Sequence, residues 1–266
     1  MSGRGSNAMW RYPVILGRLW IENLNIFFRG VGTRMVRKTA ESVLRNLDLM
    51  GQMQDLFSSV EFERQHLAAV PMFKTRQELF KFALAKVAVP DGLYAEFGVY
   101  KGDSINRLAR LRPHQVFHGF DSFEGLPESW TLGARTGAFS IGGRLPAVHG
   151  NVFLVKGFFE QSLPDFLSTY DKKAVAFIHV DCDLYSATKT VLEQLAPMLV
   201  EGTIIVFDEY FNYPGWQQGE FKAFAEFIDS HDRLGYDYIG YIRNGGQLAV
   251  RLKRRDAAST ASDGNR

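Results

Sequence analysis

The sequence predicts an α/β, Rossmann-like fold, a mostly parallel sheet with helices on both faces, and three observations carry that reading. Two apolar runs, Val175–Val180 and Thr203–Phe207, sit between turn signals, the pattern of strands buried in a parallel sheet. Between them Ala187, Val191, Leu192, Leu195 and Leu199 recur at helical spacing. Strand, helix and strand in that order form a crossover unit whose handedness makes both strands point the same way. Further on, Tyr236–Tyr241 and Gln247–Leu252 flank Arg243-Asn244-Gly245-Gly246, a hairpin turn that closes the sheet.

Composition narrows the class. A chain of 266 residues, 46% of them hydrophobic, suits one α/β domain with an extension. A net charge of +2 gives no strong field, so nucleic acid is not expected as a partner. The single cysteine, Cys182, excludes an internal disulfide, and a cytoplasmic location is expected. Asp181 and Asp183 flank it and disfavour its thiolate, so it reads as a small packing residue.

In chain order, residues 1–8 are small and polar and read as disordered. Trp10–Lys38 is basic, and Leu16, Trp20, Leu24 and Phe27 share a helical face. Arg18, Glu22 and two asparagines interrupt it, so it is no membrane span, and it lacks the core and cleavage site of a signal peptide. A basic amphipathic segment can lie on a membrane surface. A helix packed on the rest of the protein or on a second subunit is favoured over that, and a homodimer over a monomer. Residues 39–66 carry two helices broken near Gly51, and Thr75 caps a helix running to Val87. Residues 1–70 thus form a helical extension. Pro90-Asp91-Gly92 then turns the chain into the first strand, Leu93–Phe97.

Gly98 to Gly102 make a tight loop before a helix over Asp103–Leu111, where close backbone approach and free N–H groups suit a ligand. The loop lacks the full glycine fingerprint of dinucleotide sites. Glu96, two residues before it, would repel a pyrophosphate and suits positive charge or hydroxyl donors. The second strand, Val116–Phe120, ends in Asp121, where such folds hydrogen-bond a ribose; a solvated turn aspartate before Ser122 is the plain alternative. Residues 130–150 are glycine-rich without apolar period and read as a mobile excursion, a lid. After a third strand, Val152–Val155, come Phe158 and Phe159, flanks for a base or core residues. Ser186 is expected to cap the crossover helix, Pro197 to weaken its last turn and Gly202 to end it. Phe221, Phe224, Ala225 and Ile228 give one more amphipathic helix, and residues 254–266 form a polar, disordered tail.

The two central strands end in acids, Asp181 and Asp183 after the first, Asp208 and Glu209 after the second. Parallel pairing gathers them at the carboxyl edge of the sheet, where open α/β folds bind ligands. Carboxylates there repel one another unless something positive sits between them. A divalent, oxygen-seeking metal is the simple candidate; pairing with a lysine or arginine from elsewhere is the alternative.

Four motifs then occur in order: E-F-G-V-Y-K-G-D-S (Glu96–Ser104), G-F-D-S-F-E-G-L-P (Gly119–Pro127), H-V-D-C-D-L-Y (His179–Tyr185) and V-F-D-E-Y (Val206–Tyr210). Together, over about Leu79 to Leu252, they resemble the macrocin O-methyltransferase family, bacterial S-adenosylmethionine enzymes that methylate sugar hydroxyls on natural products. The resemblance implies the seven-stranded class I methyltransferase sheet, with its last strand antiparallel, over residues 71–253. It implies that Glu96, Gly98 and Ser104 line the methionine part of the cofactor, with Gly102 closing the same loop. Asp121 would hold the ribose hydroxyls and Ser122 would sit beside the adenosine, with Phe158 as an aromatic flank.

Asp181 matches an acid that binds metal and acts near the substrate hydroxyl, and Asp208 and Glu209 match the remaining ligands. The family commonly has Asp-Asp where this chain has Asp208-Glu209. Mg²⁺ on Asp181, Asp208 and Glu209 would lower the pKa of a hydroxyl on a small acceptor. Asp181 would take the proton; His179 is the weaker candidate base and reads more readily as a core histidine. Two rivals stand beside this reading. One is a metal-dependent glycosyltransferase using the D-x-D of Asp181 and Asp183, which leaves Glu96, the glycine loop and Asp121 unexplained. The other is a non-catalytic cofactor-binding module.

Overall fold

The computed structural model describes residues 45–130, 133–170 and 173–255. The expectations for residues 1–8, for Trp10–Lys38 and for nearly all of the tail lie outside the described residues. The chain divides into two compact units at Ser58/Ser59, earlier than the boundary near residue 70 expected from the sequence. What is described before the division is the start of helix α1 (Leu47–Phe62), where the Asn46 side chain accepts the Leu49 N–H at 3.1 Å. The helix runs through Gly51, where the sequence predicts a break. One glycine costs a helix only about 1 kcal/mol, and its Leu, Met and Gln neighbours are good helix formers.

In the second unit, α2 (Arg76–Ala85) begins with a complete capping box. Thr75 Oγ1 accepts the Glu78 N–H at 3.2 Å, and the Glu78 carboxylate accepts the Thr75 N–H at 3.1 Å. There follow β1 (Leu93–Phe97), α3 (Asp103–Leu111), β2 (Phe117–Asp121), β3 (Val152–Lys156), α4 (Phe159–Thr169) and β4 (Val175–Val180). The chain continues with α5 (Tyr185–Leu195), β5 (Ile204–Phe207), α6 (Glu220–Ser230), β6 (Leu234–Tyr241) and β7 (Leu248–Arg254). The seven strands form one sheet in the order β3-β2-β1-β4-β5-β7-β6. β1 to β5 are parallel and β7 runs antiparallel between β5 and β6. This is the Rossmann-like sheet expected from the sequence.

Two details differ from expectation. Ser186 does not cap α5: that helix starts at Tyr185 after extended Leu184, and Ser186 Oγ donates to Glu128 at 2.6 Å. Helix α4 has no clear counterpart in the apolar pattern, because Pro164 interrupts it and no side chain caps it. Pro197 does loosen the end of α5, giving a 3₁₀ turn over Ala196–Met198.

Period-two alternation splits the sheet into two core faces. Phe97, Ile178, Val180 and Phe207 pack with Leu163 of α4, Val191 of α5 and Phe224 of α6. Tyr94, Phe177, Ile204 and Val206 pack with Phe80 of α2 and Ile105 of α3. Glu96 and His179 are register partners on β1 and β4 and share that second face. The Phe80 ring meets His179 edge-on at 4.8 Å. Strand order reverses between β1 and β4, so loops diverge there and leave a crevice at the carboxyl edge.

Candidate active site

A cavity of about 380 Å³ fills this crevice. One half is built by the loop after β1. Gly98 has φ 91°, and a Cβ there would stand 1.7 Å from the Asp181 carbonyl oxygen, so only glycine lets the β1 and β4 ends approach. Gly102 takes φ 86° to start α3. Asp121 ties the loop down: its Oδ2 accepts the Val99 and Tyr100 N–H groups at 2.9 and 2.7 Å, and Oδ1 accepts the Phe123 N–H at 2.7 Å. A carboxylate has about four acceptor sites, so room for a further donor remains. Ser122 joins the same wall, its Oγ accepting the Glu124 N–H at 3.1 Å, and Phe158 lines the cavity from the start of α4.

Gly98, Ser104, Asp121, Ser122, Phe158, Asp181, Asp208 and Glu209 all line the one cavity. Gly102, Glu96 and His179 do not. Glu96 is fully buried one layer below, because its position on β1 faces the core; Ser104 Oγ donates to its Oε1 at 2.9 Å, and His179 Nδ1 lies 2.9 Å from its Oε2. Its effect on a ligand would pass through Ser104.

His179 lies between two carboxylates, with Nε2 3.5 Å from Asp208 Oδ1. That is an ion-pair contact rather than an aligned hydrogen bond, and Nε2 has no hydrogen-bond partner among the described residues. Burial pushes the imidazole toward neutrality, but Asp208, Glu96 and Asp181 outweigh it and raise its pKa to about 10. A buried imidazolium is a poor base, so His179 serves as a counter-charge. A histidine raised in the folded state stabilises fully below its unfolded value of about 6.5 and loses that contribution as pH rises through about 10. The melting temperature of His179→Gln should therefore lie furthest below that of the unmutated chain near pH 6. The gap should shrink toward pH 10, and a constant gap in thermal melts would contradict the charged state.

The carboxylates form two overlapping groups, His179–Asp181–Asp208 and Asp181–Asp183–Glu209, with potential ligand atoms within 4.8 Å of one another in each. Asp208 already has partners. Arg76 Nη2 donates to its Oδ2 at 2.6 Å and Gln247 Nε2 to its Oδ1 at 3.3 Å. Burial would raise its pKa, but His179, then Arg76 and Gln247, hold it below the usual range. The others go the opposite way. Burial and then the Asp208 charge raise Asp181 and Glu209, and burial, Asp208 and Asp121 push Asp183 up to about 7.

Glu209 turns its N–H to Glu220 Oε2 at 3.0 Å. Glu209 Oε2, Glu220 Oε1 and Tyr213 Oη are buried with no hydrogen-bond partner among the described residues. Cys182 is buried, its thiol raised by burial and then by Glu220, in keeping with a packing role.

Sequence reasoning missed Arg76 and gave Asp183 no role beyond the D-x-D of the glycosyltransferase rival. Asp183 had a local signal, standing two residues from Asp181 at a strand end. Arg76 had none, since 132 positions separate it from Asp208.

Asp121→Ala tests the loop side. Losing a charge-assisted acceptor should weaken binding of S-adenosylhomocysteine by about 1–3 kcal/mol in calorimetry, and unchanged affinity would remove Asp121 from the site.

Residues 95–210 match a family model described as a methyltransferase domain. No curated protein matches the chain. Among solved structures it is similar to CalS11, described as a calicheamicin methyltransferase, at 25% identity over 94% of this chain and 98% of that one, with a TM-score of 0.50. An apo structure of CalS11, described as TDP-rhamnose 3'-O-methyltransferase, matches at 21% identity over 93% and 96% of the two chains, with a TM-score of 0.46. The O-methyltransferase NovP matches at 20% identity over 66% and 78%, with a TM-score of 0.49. With the seven-stranded sheet complete and a methyltransferase domain matched across its central strands, the chain is an S-adenosylmethionine-dependent methyltransferase.

Proposed function

We propose that the protein is an O-methyltransferase of the macrocin type, transferring the methyl group to a hydroxyl of a sugar or another natural-product acceptor with a divalent cation at the carboxylate cluster. The observation that carries this reading is the group of Asp181, Asp183 and Glu209 at the cavity wall. Asp181 has only the Arg76 guanidinium at 3.8 Å, Asp183 and Glu209 have no base within ion-pair distance among the described residues, and the buried Glu209 Oε2 has no hydrogen-bond partner among them. Oxygen ligands of this kind suit Mg²⁺. A bound Mg²⁺ supplies a Lewis acid that lowers the pKa of an acceptor hydroxyl.

The chain's own groups do the rest. Asp121 accepts the ribose hydroxyls and Phe158 flanks the adenine. The Gly98–Ser104 loop takes the methionine end, with Glu96 orienting Ser104 from below. The sulfonium is thereby aimed at the carboxylate end of the cavity, and transfer consumes its charge, so alignment is the main demand. Asp183 is the best base: it lines the cavity, and a carboxylate that gives one oxygen to the cation keeps the other to take the hydroxyl proton. That role shifts from Asp181, whose side chain is only 22% exposed and lies 3.8 Å from Arg76.

Similarity to CalS11 supports a natural-product acceptor. The glycosyltransferase alternative is not favoured, because the matched domain is a methyltransferase and the cavity uses the glycine loop and Asp121 that the rival leaves idle. The test is methyl transfer from labelled S-adenosylmethionine to a panel of glycosides, free sugars and nucleotide sugars, read by mass spectrometry. Methyl ethers on a sugar ring are expected. Methyl groups only on nitrogen or carbon of other acceptors would overturn the reading.

A further inference from the structure

Trp130, in the loop after β2, is half-buried and lines the cavity. Its ring centroid lies 6.2 Å from that of Tyr213, at an interplanar angle of 55°. Tyr213 is buried beside the acids, where burial and then Glu220, Glu209 and Asp183 raise its phenol. It is closely fitted, since a Cβ on Gly219 would come 2.1 Å from its hydroxyl oxygen. Tyr213 therefore backs Trp130 and ties it to the end of the cavity where Asp183 and Glu209 lie. The segment leading to Trp130 is fastened on the same side. Ser186 Oγ, at the start of the helix that follows Asp183, donates to Glu128 at 2.6 Å. The Leu126 N–H donates to the Ala138 carbonyl at 2.9 Å, and the Gly137 N–H to the Leu126 carbonyl at 2.8 Å, which pairs this segment with the glycine-rich excursion. Packing alone does not account for Trp130, because its ring stays only half-buried while the neighbouring Tyr213 is 7% exposed. An indole has a broad apolar face, and here it stands at the same end of the cavity as the group of Asp181, Asp183 and Glu209. A sugar ring presents the matching surfaces, C–H groups on its faces and hydroxyls around its edge.

We propose that Trp130 is a specificity-determining residue: its ring carries the C–H face of the acceptor's sugar ring, and a ring so held turns two neighbouring hydroxyls toward the carboxylate cluster. This assignment rests on the acceptor reading above and narrows it to a cyclic sugar with a vicinal diol. It also divides the aromatic residues of the cavity between the two substrates. Phe158 flanks the cofactor's adenine at one end, and Trp130 holds the acceptor at the other.

The test uses the full chain with Mg²⁺ and two readouts. Steady-state methyl transfer is measured with the sugar that the panel above shows to be methylated. Tryptophan fluorescence follows the same sugar titrated into the protein with S-adenosylhomocysteine bound. Trp130→Ala should raise the acceptor KM about tenfold with a much smaller change in kcat, the pattern of lost binding that ground state and transition state share. Trp130→Phe keeps an aromatic face and should stay within about threefold of the unmutated KM. Both variants should bind S-adenosylhomocysteine as the unmutated chain does. The sugar should shift the emission of the unmutated chain, and Trp130→Phe should lose that shift, which keeps the proposal testable if Trp130→Ala does not fold. A Trp130→Ala protein with unchanged KM, or one that loses cofactor and acceptor affinity together, would overturn the role of Trp130 and leave the sugar reading standing. So would an emission that ignores a sugar the protein methylates. An unmutated chain that methylates no sugar of the panel would overturn the acceptor reading itself, and the role of Trp130 with it.

Discussion

Gly98→Ala is expected to lower stability by about 3 kcal/mol or more, which for a chain of this size is a fall in melting temperature of roughly 6–12 °C. Two costs add. The residue has φ 91°, in the left-handed region that a Cβ disfavours. The new Cβ would also sit 1.7 Å from the Asp181 carbonyl oxygen and 2.6 Å from its carbon, and neither is the end of a flexible side chain. Relief would require β1 and β4 to part at their carboxyl ends, which also opens the cavity. Affinity for S-adenosylhomocysteine should therefore fall together with the melting temperature. A variant that melts and binds like the unmutated chain would show that the two strand ends do not meet as described.

Asp183→Asn is expected to reduce methyl transfer by a factor of about 10²–10⁴, the usual worth of a positioned general base. The substitution is close to isosteric, and Asn tolerates the left-handed φ of 63° at this position, so the backbone should hold. Asp183 makes no hydrogen bond to Asp121 or its loop among the described residues, and S-adenosylhomocysteine should bind with nearly unchanged affinity. Steady-state rates alongside calorimetry separate the two effects. Transfer at nearly the unmutated rate would assign the proton to another group.

Much of the fold was legible because burial leaves a local trace. The runs at Leu93–Phe97 and Val175–Val180 match the observed strands at both ends, since parallel strands covered on both faces are apolar over most of their length, Glu96 and His179 being the exceptions. Asp103–Leu111 was equally plain, bracketed by Gly102 and by the end of its apolar period. Helix α4 was hidden because Pro164 breaks the usual helical signal.

The cavity lining was legible where a strand end carries the motif, as at Gly98, Asp121 and Asp181, which the structure brings to one cavity. It was not legible where charges from distant segments meet. Nothing near Asp208 in the sequence announces Arg76, and nothing near Glu96 announces that His179 takes its second oxygen. Glu96 shows the limit clearly. Its place before the loop suggests contact with a ligand, but alternation along β1 sends it into the core, where it accepts the Ser104 hydroxyl.

The cation at the carboxylate cluster is the central claim, and methyl transfer measured before and after chelation tests it most directly. With a sugar acceptor from the panel, EDTA should abolish transfer, Mg²⁺ in excess should restore it, and S-adenosylhomocysteine should bind equally well throughout. Transfer that continues undiminished in EDTA would contradict the account.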